Sequence, residues 1–427
     1  MISREDQSQS GRARPLRVAL FTDTLGDVNG VSRFLNDIAD RSLECDRSLD
    51  ILTSTRFAVR DLPNLHNFEP RAAIKLPGYR DLEFVLPPGR RLFGAVRSLR
   101  PDVIHISTPG PVGFVGRLIA RRLGIPLAGV YHTDFPAYVD HLFDDAALTH
   151  LSRAAMKRFY KPFRCVFARS AEYGASLGRL GIVASRRVRL RAGCNTACFH
   201  PRFRDERCWS SLGLSDNGVK VLYVGRVSIE KNLPLLADVW KRFLALAPQT
   251  DAQLIIVGDG PYRATMESTL AGCNAHFLGF RHGDELSRLY ASSDLFVFPS
   301  TTDTLGQVVL ESQASGLPAL VTNVGGPKEV VCHEGESRRT GFVLSSGDPA
   351  NWARHILRLV TDAKFRMAMG AAAHRHAQQF SIQDSFDHFW QVHEQLAGKP
   401  RPAAQIEPKP LIADSSSAPL PLDSVPA

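Results

Sequence analysis

Short apolar runs alternate with amphipathic segments along this chain, and the alternation begins twice. In the first half, RVALFTD, PDVIHIS and PLAGVYHTD are typical of buried strands, and helices are expected to begin near Gly30 and to end at Gly124. The pattern restarts near residue 218 with KVLYVGR, AQLIIVGDG and DLFVFPS. Strands that alternate with helices favour a parallel sheet covered on both faces. The sequence therefore predicts an α/β protein with two Rossmann-like, doubly wound domains that face a central cleft.

The predicted organisation divides the 427 residues into two domains, a helical segment and two tails. The first domain is expected over residues 15–200 and the second over residues 201–370. Helices in residues 371–398 are expected to pack back toward the first domain. The polar residues 1–14 and the Pro-, Ala- and Ser-rich residues 399–427 are expected to be disordered tails.

Positive charge is concentrated in the first half of the chain. Residues 1–200 contain 30 Lys and Arg against 19 Asp and Glu, whereas the remaining residues contain 22 against 24. Two interpretations stay open, a solvated basic face and a surface that meets phosphate or an anionic membrane. Nucleic acid is not an expected partner, because no recognition motif accompanies the charge.

The sequence predicts a cytoplasmic protein that could lie peripherally at the inner face of the membrane. No apolar run approaches the 18 or so residues of a membrane span, and the N-terminus lacks the apolar core of a signal peptide. Seven dispersed cysteines are typical of reduced thiols. Cys194, Cys198 and His200 lie close together, but their spacing matches no common zinc pattern, and no metal or other cofactor is expected.

The stretch TTDTLGQVVLESQASGLP carries two carboxylates, Asp303 and Glu311, on either side of a glycine. A helix is expected to begin near Gly306, with Thr304 and Gln307 as its capping box. The N–H groups of its first turn would bind an anion, and the two carboxylates could hold hydroxyl groups on either side of a diphosphate. In the alternative interpretation, the acidic residues only complement the helix dipole.

Two cations follow the first predicted strand of the second half. Arg226 and Lys231 are five positions apart in a strand-to-helix loop, where positive charge suits a diphosphate. The alternative is that Lys231 forms a surface salt bridge with Glu230 or Asp238.

Two candidate segments lie in the first half of the chain. Gly26 and Gly30 fall between a strand and a helix, so the loop DVNGVS is expected to approach a ligand. His132 and Asp134 follow another strand, and His132 is either structural or exposed to the cleft.

Taken together, these motifs resemble the GT4 family of retaining glycosyltransferases, which have the GT-B fold. The resemblance covers about residues 17–396. Within the family, the chain resembles bacterial mannosyltransferase-like and sulfolipid-synthase-like members most. The family's Glu-x7-Glu motif appears as Asp303 and Glu311, with the first carboxylate shortened. Asn195 stands where the family's linker usually carries an aspartate.

The resemblance implies a role for each matched position. Arg226 and Lys231 would neutralise the diphosphate leaving group in place of a metal ion, and Glu311 would hold the ribose. Asp303 would reach hydroxyls of the donor sugar, and His132 would reach its 6-hydroxyl side. Further backbone donors would come from the turn formed by Thr304, Leu305, Gly306, Gln307 and Val308.

The implied reaction moves a hexosyl group, mannose-like, from a GDP- or UDP-linked sugar to a lipid or glycan acceptor, with retention of configuration. The first domain would be the acceptor side, where Gly30 lets the first loop close, and the second would bind the nucleotide sugar. The alternatives are a GT-B-like epimerase or hydrolase, a glycoside hydrolase that uses Asp303 and Glu311, and a non-catalytic nucleotide-binding protein. A phosphorylase would need a lysine that carries pyridoxal phosphate, which no motif identifies.

Overall fold

The fold is known from a computed structural model, and it is α/β as the sequence predicts. Apart from Arg14, the two predicted tails lie outside the part of the chain that the structure describes, and so do residues 27–29 of the first loop. The structure describes residues 14–26, 30–75, 83–132, 134–136, 139–140, 145–335 and 338–398.

The first domain is built on a seven-stranded parallel sheet. The strands of this sheet are β1 (Arg17–Phe21), β2 (Ser48–Thr53), β3 (Leu65–Asn67), β6 (Val103–Ile106), β7 (Leu127–Tyr131), β8 (Cys165–Ala168) and β9 (Arg187–Arg189). Two further strands, β4 (Ala72–Lys75) and β5 (Glu83–Leu86), form a separate antiparallel pair. The sheet order is β3-β2-β1-β6-β7-β8-β9, so the connection reverses direction between β1 and β6. Ligands of open α/β sheets bind at such a switch point.

Helices cover both faces of this sheet. The described helices of the first domain are α1 (Gly30–Glu44), α2 (Gly89–Leu99), α3 (Pro111–Leu123), α4 (Ala146–Tyr160) and α5 (Ala171–Arg179). Two separate apolar clusters, one on each side of the sheet, form the core. The predicted helix ends are confirmed, because α1 begins at Gly30 and Gly124 caps α3 in the left-handed conformation.

The second domain repeats the plan with six parallel strands in the order β12-β11-β10-β13-β14-β15. The strands are β10 (Lys220–Val224), β11 (Gln253–Val257), β12 (Ala275–Gly279), β13 (Leu295–Phe298), β14 (Ala319–Thr322) and β15 (Gly341–Leu344). The helices are α6 (Leu233–Leu246), α7 (Arg263–Thr269), α8 (Gly283–Ser292), α9 (Gln307–Ala314), α10 (Pro349–Thr361) and α11 (Ala363–Ala377). Here the switch point lies between β10 and β13.

The central strands are mostly apolar because both faces of each sheet are covered. Every residue of β7, β10, β11 and β13 is buried. This burial explains why these strands appear in the sequence as continuous apolar runs and not as alternating patterns.

The last helix, α12 (Ile382–Leu396), leaves the second domain and packs on the first. Its Phe386, Phe389 and Trp390 join the apolar cluster that contains Val18 of β1. The predicted boundary at residue 370 lies inside α11, whose Ala377 still belongs to the core of the second domain.

The chain therefore crosses between the domains twice, and the two crossings run side by side. The N–H of Cys194 in the outgoing segment donates to the carbonyl of Phe380 in the returning segment over 2.8 Å. The hydroxyl of Ser385 donates to the carbonyl of Arg191 over 2.7 Å. Hydrogen bonds join the two crossings into one hinge.

A buried histidine pair fixes α12 to the first sheet. His105 Nδ1 of β6 lies 3.0 Å from His393 Nε2, and His393 Nδ1 lies 2.7 Å from the carbonyl of Phe389. Burial lowers the pKa of both imidazoles, that of His393 to about 4, and the nearby His393 and His132 lower the pKa of His105 further. The folded protein therefore holds both rings neutral.

We expect acid to detach α12, because below a pH of about 6.5 the unfolded chain binds protons that the folded pair excludes. The contribution of the pair to stability should be constant above that pH and fall by roughly 1–3 kcal/mol as the pH decreases toward 4. Thermal melting of wild type and His393→Gln across this range measures the effect, and the variant should show a shallower slope. The exposed His150→Gln is the control. Equal slopes in wild type and His393→Gln would contradict the assignment.

Candidate active site in the cleft between the domains

A cavity of about 720 Å³ lies between the two sheets and is lined by both domains. It opens where the strands on either side of each switch point end, as expected for doubly wound sheets. Ten of the residues predicted from the sequence line it: Gly30, His132, Arg226, Lys231, Asp303, Thr304, Leu305, Gly306, Gln307 and Val308.

The start of α9 forms one wall of this cavity. Gly306 is the N-cap residue with φ of 80°, and a Cβ there would lie 2.9 Å from Cγ of Pro327, so only glycine fits. The predicted capping box is wrong: no side chain caps α9, and Gln307 Nε2 instead donates to the carbonyl of Gly193 in the interdomain linker, 3.0 Å away. Glycine in the left-handed conformation replaces the side-chain cap.

The first turn of α9 keeps its backbone donors for a ligand. Within the described residues, the N–H groups of Gly306, Gln307 and Val308 donate no hydrogen bond. These groups lie at the positive end of the helix dipole and at the surface of the cavity. The arrangement suits an anion such as a phosphate.

Lys231 and Asp303 face each other across this wall. Lys231 Nζ lies 2.8 Å from Asp303 Oδ2, and Ser300 Oγ donates to the same carboxylate oxygen. The surface pairing of Lys231 with Glu230 or Asp238 is not formed, since Asp238 pairs with Arg242. The two predicted site residues hold each other next to the first turn of α9.

Arg226 lines the cavity from the loop after β10. Its carbonyl accepts a hydrogen bond from the buried Tyr223 hydroxyl, 2.9 Å away. The neighbouring loop packs closely, because a Cβ at Gly258, whose φ is 132°, would lie 1.9 Å from the carbonyl oxygen of Gly225. This close backbone packing holds the arginine loop at the carboxyl end of the sheet.

Glu311 differs from the other predicted residues because its carboxylate is buried and does not line the cavity. Arg33 Nη1 of α1 donates to Oε1, and the hydroxyl of Tyr290 donates to Oε2 over 3.1 Å. The Glu311 carboxylate raises the pKa of Arg33. A ribose hydroxyl would have to replace one of these partners, so the ribose role stays a prediction.

His132 follows β7 and lines the opposite wall. The ring is neutral, because burial and the nearby Arg169 lower its pKa to about 3. Its Nε2 is buried without a hydrogen-bond partner among the described residues. Gly30 faces α9, and a Cβ there would make an ordinary 3.9 Å contact with Gln307, so protein packing alone does not require glycine.

Several residues that sequence reasoning missed also line the cavity. Arg33 and Asp37 lie on α1, and burial raises the pKa of Asp37 to about 7. Arg169 follows β8. Phe280 and His282 precede α8 with their rings stacked, 6.4 Å apart. In the sequence, the signal for Arg33 and Asp37 was their spacing of four positions, which places both on one face of the helix that begins at Gly30.

Known proteins match this chain over both domains. The family model "Glycosyl transferases group 1" matches residues 209–376, and the model "Glycosyltransferase Family 4" matches residues 28–197. Sulfoquinovosyl transferase SQD2 of Arabidopsis thaliana is 32% identical over 373 residues, which cover 86% of this chain and 71% of that protein. A GDP-mannose-dependent alpha-mannosyltransferase of Corynebacterium glutamicum is 30% identical over 324 residues, which cover 74% of this chain and 75% of that protein.

Solved structures agree at the level of the fold. Sucrose-phosphate synthase from Thermosynechococcus elongatus has a TM-score of 0.71 at 19% identity and covers 90% of this chain and 99% of that one. HepE of Anabaena, in complex with UDP and glucose, has a TM-score of 0.70 at 19% identity and covers 88% and 99%.

These matches and the cleft define a nucleotide-sugar glycosyltransferase. The chain belongs to glycosyltransferase family GT4 and has the GT-B fold, as the motifs predicted.

The ribose role of Glu311 can be tested against its structural role. We expect Glu311→Gln to weaken nucleoside diphosphate binding by roughly 1–3 kcal/mol, because charge-assisted hydrogen bonds are lost. Tyr290→Phe removes a hydrogen bond from the same carboxylate but keeps its charge, so it should lower stability by about 1 kcal/mol and leave binding unchanged. Calorimetric titration and thermal melting measure the two effects. Unchanged affinity in Glu311→Gln would remove the residue from the ribose site.

Proposed function

We propose that the protein transfers a hexosyl group, mannose-like, from a GDP- or UDP-linked sugar to a hydroxyl of a lipid or glycan acceptor, with retention and without a metal. The observation that carries the proposal is the shared wall of Arg226, Lys231 and the first turn of α9. Two cations and uncapped backbone donors face one cavity, which is the arrangement that a diphosphate leaving group needs.

The matched proteins support the finer parts of the proposal. One relative is named a GDP-mannose-dependent mannosyltransferase, and another, from Streptococcus pneumoniae, is named alpha-monoglucosyldiacylglycerol synthase. The first name supports a mannose-like donor and the second a lipid acceptor. The structural match to a UDP complex keeps UDP beside GDP as the nucleotide.

In the proposed reaction, the bond between the anomeric carbon and the diphosphate oxygen breaks while a bond to the acceptor oxygen forms on the same face of the sugar. The diphosphate leaves with the bonding electron pair and accepts the acceptor's proton. Arg226, Lys231 and the α9 N–H groups stabilise the charge that develops on the diphosphate. In the proposal, these groups take the place of a divalent ion. Retention of configuration is inferred from the family resemblance.

Asp303 gains a second role from its contact with Lys231. The carboxylate holds Lys231 Nζ beside the first turn of α9. A lysine held in one position loses less freedom when the diphosphate binds. We propose that Asp303 orients Lys231 in addition to contacting the donor sugar.

Thermal melting with GDP, UDP, ADP and NAD, in buffer that contains EDTA, tests the nucleotide part. One nucleoside diphosphate at about a hundred times its Kd should stabilise the protein by roughly 2.7 kcal/mol, and NAD should not. Lys231→Ala should remove most of that shift while lowering stability by at most about 1 kcal/mol, because the ion pair is partly exposed. Arg242→Ala, which breaks an exposed pair in α6, is the control.

Turnover of GDP-mannose and UDP-glucose with diacylglycerol in detergent then identifies donor and acceptor. The proposal would be contradicted if no nucleoside diphosphate raised the melting temperature, or if stabilisation required added Mg²⁺. Release of free sugar without an acceptor product would favour the hydrolase alternative.

The first domain has a surface that suits an anionic membrane. Leu118 of α3 and Leu151 of α4 are 63% and 65% exposed, and the two helices pack through the rings of Phe114 and Phe159, 4.9 Å apart. The Arg117 guanidinium lies 5.6 Å from the centroid of the Phe159 ring, and burial and the nearby Arg158 and Arg121 lower the pKa of Arg117, so α3 and α4 carry neighbouring cations. We call this basic and apolar surface of α3 and α4 the α3–α4 surface and propose that it contacts lipid. No described helix is long and apolar enough to cross a bilayer.

Vesicle sedimentation tests the α3–α4 surface. The protein should bind phosphatidylglycerol vesicles, in a salt-sensitive way, more tightly than phosphatidylcholine vesicles. Leu118→Glu with Leu151→Glu should weaken binding by about tenfold or more, since apolar contact is lost and negative charge is added. Leu246→Glu, at an exposed leucine of the second domain, is the matched control. Equal binding by the double variant and wild type would contradict the proposal.

A further inference from the structure

The cleft contains a buried arginine that forms no ion pair with any residue that the structure describes. Arg169 is 5% exposed and lines the cavity. Among the described residues, its guanidinium forms no ion pair within 4.0 Å and no side-chain hydrogen bond, and its Nη1 is buried without a partner. Burying an unpaired charge is costly, so arginines in protein interiors are normally paired or hydrogen-bonded several times over.

His132 lies beside it for a topological reason. Strands β7 and β8 pair in parallel with Tyr131 opposite Ala168, so His132 and Arg169 leave the ends of adjacent strands at the same level. Both contact Phe34 of α1: the ring of His132 meets it edge-on at 6.2 Å, and the Arg169 guanidinium lies 4.5 Å from its centroid. A cation, a neutral imidazole and an aromatic ring thus form one cluster on the first-domain wall.

The surrounding charges do not complete this cluster. Asp37 acts on Arg169, but it is beyond ion-pair distance, and its own raised pKa of about 7 keeps it partly protonated near neutral pH. Burial lowers the pKa of Arg169 to about 10, so the guanidinium still carries its charge. His132 Nε2 is a second buried polar atom without a partner among the described residues. The residues that carry these two unsatisfied atoms, Arg169 and His132, line the same cavity.

We infer that Arg169 and His132, which both pack against Phe34, form a subsite for an anionic oxygen group, a carboxylate, sulfonate or phosphate, carried by the transferred sugar or by the acceptor. The inference rests on the proposed transferase function and adds the charge of a substrate to it. The diphosphate is bound by the opposite wall, through Lys231 and α9, so this second cationic position serves a different anion. Guanidinium binds such groups with paired hydrogen bonds, and a neutral imidazole adds a further donor.

Thermal melting distinguishes a ligand-binding role of Arg169 from a structural one. Because Arg169 is a buried charge that pairs with no described residue, Arg169→Met should melt at the same temperature as wild type or higher. Arg187→Met is the control, since Arg187 donates to the carbonyl of Gly174 over 2.8 Å and its loss should lower the melting temperature. A decrease for Arg169→Met as large as that for Arg187→Met would overturn the inference.

Binding then distinguishes the two sources of the anion. In the donor arm, calorimetry compares UDP-glucuronate with UDP-glucose, and GDP-mannuronate with GDP-mannose. In the acceptor arm, glycerol 3-phosphate is compared with glycerol in the presence of saturating UDP or GDP. Wild type should prefer the anionic compound in one arm by about tenfold or more, and Arg169→Met should lose the preference. Arg169→Lys should retain part of it.

Affinity for UDP or GDP alone is measured in parallel and should be unchanged by Arg169→Met. If a diphosphate binds wild type and neither arm shows a preference that depends on Arg169, the subsite is overturned and the transferase proposal stands. If neither diphosphate binds wild type, the transferase proposal fails, and the subsite fails with it.

Discussion

Parallel pairing of the strands in both sheets is the constraint on which the site depends. It brings the carboxyl ends of neighbouring strands, and the amino ends of the helices that follow them, to one edge of each sheet. Arg226 after β10 and Asp303 after β13 lie close because these strands are neighbours, and His132 and Arg169 lie close because β7 and β8 are. Two such edges face each other, and the cleft between them contains the candidate chemistry.

Some charged residues at this cleft form ion pairs with each other. Lys231 and Asp303 neutralise each other, and Arg33 and Glu311 do the same across the domain interface. These pairs can exchange one partner for a ligand hydroxyl or phosphate with little change in net charge. Arg169 has no such partner among the described residues, and its positive charge is the feature of the first-domain wall that most favours a negatively charged ligand.

Much of the architecture could be predicted because buried parallel strands are continuous apolar runs and because glycines mark helix ends. Residues that line the cavity were predictable where one loop carries several of them, as between Thr304 and Val308. Contacts across the chain were not predictable: Lys231 and Asp303 are 72 positions apart, and Arg33 and Glu311 are 278 apart. Arg169 is one of eleven basic residues between Arg153 and Arg191, and only its burial separates it from the others. The capping box failed because the backbone conformation of Gly306 decides how α9 begins.

The double crossing between the domains has a mechanical consequence. A single linker would let one domain twist, slide and swing relative to the other. Here the two crossings run parallel and are hydrogen-bonded together at Cys194 and Phe380, an arrangement that resists sliding of the domains more than rotation about the crossings. Gln307, at the start of α9, is hydrogen-bonded to Gly193, next to this contact. The first turn of α9 therefore lies near the crossings, where a rotation that opens the cleft would displace it least, while the far rims of the cavity would move most.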